Sequence, residues 1–134
     1  MSPVFDFIGK FVFAKKNTPL RMGILFQKNL EVQNMKASIA IQVLPEAEND
    51  DELIRIVDEV IAYIKSSGLH CHVGPFETTI EGDDYDQLMD IVKECQHVAV
   101  KAGAKKVSAY VKVVYNPEGE ILTIDRKISK HAEA

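Results

Sequence analysis

The chain has no tryptophan, only two cysteines, no excess of positive charge and no apolar run approaching the roughly 18 residues of a membrane span. Each shortage removes a class of reading. Cys71 and Cys95 form no CxxC; one falls in a strand pattern and the other on the apolar side of a helix pattern. They read as small buried hydrophobes in a reducing cytoplasm rather than as a disulfide or redox pair. A net charge of −4 disfavours a phosphate-backbone partner, which needs a basic face. The sequence lacks a nucleophile elbow, an HExxH and a phosphate-cradling glycine loop, so no enzyme motif stands behind it. What is present, 46% hydrophobic and 27% charged residues in 134, is enough to bury the core of one soluble globular domain.

The stretch Gly74-Pro75-Phe76-Glu77-Thr78-Thr79-Ile80-Glu81-Gly82 organises the rest. Punctuators bracket a β-branched and aromatic run, which predicts a strand over Phe76–Glu81 with neighbours on both sides. Its polar content is high for such a place, and Glu77, Thr78, Thr79 and Glu81 need a ligand, a partner subunit or solvent to satisfy them.

Residues 1–34 differ from the remainder. Five cations oppose two anions there, a charge of +3, which leaves −7 for residues 35–134. Their apolar residues have no sustained period and are broken by Gly9, Pro19 and Gly23. Leu30–Asn34 can be encoded with a bacterial ribosome-binding sequence just ahead of the Met35 codon. This predicts a disordered extension or an upstream segment with Met35 as the true start; the alternative is an N-terminal arm packed on a neighbouring subunit.

From Lys36 the pattern is regular. Ala37, Ile39, Ile41 and Val43 alternate with Ser38, Ala40, Gln42 and Leu44, a strand that Pro45 ends. Asn49 with Glu52 resembles a capping box, and Leu53, Ile56, Val57, Val60, Ile61 and Ile64 follow helical spacing as far as Gly68. Leu69–Val73 is a short strand. Asp83 or Asp84 caps a second helix, with Leu88, Val92, Cys95, Ala99 and Ala102 as its stripe and Gly103 as its stop. Lys106–Tyr115 is a long strand. After the turn at Asn116–Gly119, Glu120–Lys130 reads as a short strand plus a helical turn.

Strand, helix, strand, strand, helix, strand predicts an α+β, ferredoxin-like two-layer sandwich, with the first and third strands central in an antiparallel sheet and the helices on one face. The other face is left open. It carries Ser38, Ala40, Gln42 and Leu44 beside Ser108, Tyr110 and Lys112, too apolar to be wet and too polar to be core. Two readings stay open: a polar pocket, or a subunit interface with an internal Lys112–Glu81 ion pair. On the third strand Glu77, Thr79 and Glu81 share one face and Phe76, Thr78 and Ile80 the other, so only a bulge or twist brings Thr78 and Glu81 together. His70-Cys71-His72 offers two aligned metal ligands, too few for a site, and reads as an exposed edge-strand pair. Glu77 and Glu81 as an acid–base pair compete with the plainer reading of solvated or paired carboxylates.

These residues carry a family likeness. Met35–Pro45, Pro75–Gly82, Val111-Lys112-Val113 and Thr123–Ile128 resemble the small, single-domain members of the thiamine-binding, YkoF-like family over residues 35 to about 130. The resemblance implies a cytoplasmic ferredoxin-like domain pairing through its sheets into a homotetramer, a dimer of dimers. It implies no catalysis, no metal and no cofactor other than thiamine or its hydroxymethylpyrimidine part as bound ligand, in vitamin B1 transport or salvage. It carries ligand-binding roles onto Ser38, Gln42, Thr78, Glu81 and Lys112, with Phe76 as an apolar wall and Lys112 orienting Glu81. The alternative is an oligomeric assembly protein with no thiamine site or with another small ligand.

Overall fold

The computed structural model describes residues 34–131. The expectations for residues 1–33 lie outside the described residues. Within them, residues 35–131 belong to one compact unit.

Alternation makes β1 (Ala37–Pro45): Ala37, Ile39 and Ile41 point one way and are at most 2% exposed. Helix α1 (Asp50–Ser66) starts where the Asn49 side chain accepts from the Glu52 N–H at 2.9 Å, with Asp50, Asp51 and Glu52 in the first turn, where the helix dipole favours negative charge. Its buried stripe is Ile56, Val60 and Ile64. Gly68, at φ +78°, takes the left-handed conformation that lets the chain leave the helix for β2 (His70–Val73). β3 (Thr78–Gly82) begins two residues later than the residue pattern predicts. The cause is a tight turn, in which the Gly74 N–H donates to the Glu77 carbonyl at 2.9 Å and takes up Pro75 and Phe76. Asp84 caps α2 (Tyr85–Lys101), accepting from the Gln87 N–H. β4 (Val107–Tyr115) completes the sheet.

The strand order is β2-β3-β1-β4 and every pairing is antiparallel. β1 and β3 are therefore central, and the arrangement is ferredoxin-like. Ile39 sits between Ile80 and Val113 in register. Around it, Ile41, Ile56, Val60, Ile64, Leu88, Ile91, Val92, Cys95 and Ala99 form the core between sheet and helices. The Arg55 guanidinium on α1 donates to Glu52 and to the Ala102 carbonyl at the end of α2, tying the two helices together beyond their apolar contact.

Two expectations need correction. The last stretch contains no strand: a single backbone bond, Ile121 N–H to the Met35 carbonyl, runs beside β1, and Thr123 then caps a short helix, α3 (Ile124–Ile128), followed by a 3₁₀ turn (Ser129–His131). Nor is the face away from α1 and α2 wholly open. Ile124 is 4% exposed yet lies outside the core between sheet and helices, because the C-terminal segment folds over the far face near Glu81.

Cys95 is fully buried, and burial, with a smaller push from Glu94, raises its thiol to about 12. Because the folded state holds this proton more tightly than the unfolded chain, the associated stability is intact below about pH 9 and is lost as pH rises towards 12. A thiol reagent at pH 8 is expected to modify half-buried Cys71 and to reach Cys95 only on unfolding. Modification of both in the native protein would contradict this burial.

Candidate functional site

The register decides which polar residues meet. On the face away from α1 and α2, Ser38 stands opposite Glu81 on one side and Val114 on the other, and His70 stands opposite Glu81 from β2. Glu81 thus lies between a serine and a histidine, on a central strand, and is 1% exposed. Its Oε2 accepts from the Ile124 backbone N–H at 2.8 Å. Its Oε1 is 3.9 Å from His70 Nε2, beyond hydrogen-bond distance. Ser38 is 5% exposed, and its hydroxyl has no hydrogen-bond partner among the described residues. A buried carboxylate with one oxygen unbonded among the described residues, beside a buried hydroxyl, is an uncommon arrangement, since such groups are costly unless bonded.

Lys112 does not join this pair. It stands opposite Ala40, and its Nζ donates to Glu77 Oε2 at 3.0 Å. The expected Lys112–Glu81 contact is thereby corrected. Lys112 stands level with Thr79 across β1, midway between Glu77 and Glu81; Glu81 is buried and holds the Ile124 N–H, while the partly exposed Glu77 is free to take the ammonium. With the Lys112 side chain 72% exposed, this ion pair is solvent-screened and contributes little.

Thr78 takes the opposite face, as strict alternation requires. It pairs with Ile41 and Val73, and its buried hydroxyl also has no partner among the described residues. It lines a cavity of about 180 Å³ at the end of the sheet beneath α1, walled by Ile41, Val57, Val60 and Ile64 and rimmed by Phe76. Gln42 faces Tyr110 across the strands and borders the same cavity. The six candidates fall into three places: Ser38 with Glu81, Phe76 and Thr78 with Gln42 at the cavity, and Lys112 with Glu77.

Reading residues alone missed the Ile124 N–H and the contact of His70 Nε2 with Asp125 Oδ1 at 3.4 Å. The only local signal was Thr123, a capping residue ahead of Ile-Asp-Arg. Among the described residues no group of three or more His, Cys, Asp or Glu could hold a metal ion, and no helix is long and apolar enough to cross a membrane. Chemically, the Ser38–Glu81 pair can accept hydrogen bonds from an amino group or a protonated ring nitrogen and exchange one with a ring nitrogen.

Comparison with known proteins adds to this geometry. A family model described as thiamine-binding protein matches residues 39–132. A UPF0045 protein of Clostridium perfringens is 42% identical over 94 residues, spanning 70% of this chain and 95% of that protein. Among solved structures, a candidate thiamine biosynthesis/salvage protein of Thermotoga maritima is similar at 34% identity and a TM-score of 0.62, over 72% of this chain and 98% of its own. A domain of unknown function from Bacillus cereus is similar at 36% identity and a TM-score of 0.64, over 72% of this chain and 89% of its own.

Proposed function

The chain belongs to the thiamine-binding protein family, and we propose that it binds thiamine, or the hydroxymethylpyrimidine part of it, without chemistry, at the far face of the sheet. The observation that carries this reading is Glu81: a carboxylate 1% exposed, with one oxygen on the Ile124 N–H and the other 3.9 Å from His70 Nε2, beside a Ser38 hydroxyl that has no partner among the described residues. An aminopyrimidine presents an amino group next to a ring nitrogen, which matches a carboxylate and a hydroxyl side by side. The cationic thiazolium is favoured by the acidic balance of residues 35–134. Tyr110, Val114 and Leu44, all exposed on this face, give a second copy of the chain an apolar surface with which to close over the ligand in an oligomer. The place of such a protein is vitamin B1 transport or salvage in the cytoplasm.

A second reading is favoured by the cavity under α1. Its volume of about 180 Å³ and its buried Thr78 hydroxyl, without a partner among the described residues, suit a small ring, with Phe76 as a wall. Two variants separate the readings in a calorimetric titration with thiamine. Ser38→Leu fills the Glu81 side and is expected to weaken binding about tenfold or more, while Thr78→Val changes it less than about twofold. The reverse pattern would move the pyrimidine into the cavity.

A further inference from the structure

The residue that is the best ligand acceptor is already engaged by the protein's own C-terminal segment. The Ile124 N–H donates to Glu81 Oε2 at 2.8 Å, and the Ile124 side chain is buried beside it. We propose that residues Thr123–His131 form a displaceable strap that competes with the ligand for Glu81, so that thiamine binding at this face proceeds by release of the strap. This rests on Glu81 being the ligand's acceptor, as argued above.

The strap is built to let go. α3 has five residues, hardly more than one turn, and a helix of that length has little stability apart from its contacts. Its fastenings are few. The His70–Asp125 contact joins side chains that are 45% and 69% exposed, so water screens it and it holds little. What remains is the burial of Thr123 and Ile124, the half-buried Ile128 and the charge-assisted bond to Glu81, most of it at the first turn of α3. Segments held by so few buried contacts open well below the free energy of global unfolding. Opening exposes Glu81 and its neighbour Ser38 together, because the two stand opposite each other in register.

The geometry also supplies a clean test. Thr123 has φ −75° and ψ 163°, the extended conformation that precedes proline without strain, and Ile124 is the first helical position, where proline is well tolerated. Ile124→Pro therefore deletes the competing N–H and leaves the helix start in place. Ile124→Val keeps the N–H and trims the side chain. The full-length wild type and both variants are titrated with thiamine, and amide exchange over residues 123–131 is followed with and without it. Ile124→Pro is expected to bind about tenfold more tightly than wild type and Ile124→Val within about twofold of it, because only the former loses a hydrogen bond to a charged group. Exchange over 125–131 in the wild type is expected to speed up when thiamine is added. Equal affinity for all three proteins would overturn the strap while leaving thiamine binding intact. Weaker binding by Ile124→Pro, or slower exchange with thiamine, would make the segment a lid that holds the ligand and overturn the competition. Absence of binding in all three folded proteins would remove the thiamine reading and the strap's role with it.

Discussion

Glu81→Ala is expected to reduce thiamine affinity by at least about a hundredfold, since truncating one partner of a buried, charged hydrogen bond costs on the order of 2–5 kcal/mol. Two effects on the fold oppose each other. Losing the acceptor leaves the Ile124 N–H unpaired, at a cost of about 1–3 kcal/mol, while removing a buried charge returns part of that. The domain should therefore stay folded. Glu81→Gln sharpens the test: its amide oxygen still accepts from Ile124, so the strap is retained, and only the charge is lost. Affinity that falls in both variants with similar melting temperatures identifies the charge as the group that reads the ligand. Unchanged affinity in Glu81→Gln would leave Glu81 with a structural role as anchor of the C-terminal segment.

The largest effect on stability is expected at the opposite face of the sheet. Ile39 is 0% exposed, on a central strand, between Ile80 and Val113 in register and under both long helices. No neighbour can collapse into its place without disturbing a strand. Ile39→Ala is accordingly expected to cost about 2–5 kcal/mol, a large part of the stability of a small domain. That should lower the thermal midpoint by on the order of 10–20 °C. Val111→Ala on edge strand β4, where the side chain is 37% exposed, is the comparison. It removes apolar surface that is already partly wet and should cost less than about 1 kcal/mol. Similar losses at both positions in a thermal melt would contradict the concentration of the core on the central strands.

The contrast between these residues shows how far the sequence could be read. Ile39 and Ile41 announce themselves by alternation, and Asn49, Gly68, Asp84 and Gly103 punctuate the helices by capping chemistry that acts within a few residues. Local rules of this kind settle the order of elements, and the right-handed crossover then settles the sheet. The partnership of Lys112 with Glu77 rather than Glu81 was illegible, because the register sets Lys112 level with Thr79, midway between the two, and the burial of Glu81 against Ile124 makes the choice. The strap was illegible for a stronger reason. The Glu81–Ile124 bond joins a side chain to a backbone N–H 43 residues away, and a backbone donor leaves no trace in residue type. Residues 120–131 have no sustained apolar period, and one isoleucine after a threonine does not say which surface it will cover. Thr78 lies between these cases: alternation separates it from Glu81, while the cavity it lines is made by α1, whose position over the sheet no spacing reveals.

The most direct test is a calorimetric titration of the full-length protein with thiamine, with hydroxymethylpyrimidine and thiamine phosphate alongside. Saturable binding of thiamine and of hydroxymethylpyrimidine is expected, because the pyrimidine end is the one read by Ser38 and Glu81. A folded protein that gives no heat with any of the three would rule out thiamine binding at this face and leave an assembly domain of the same fold.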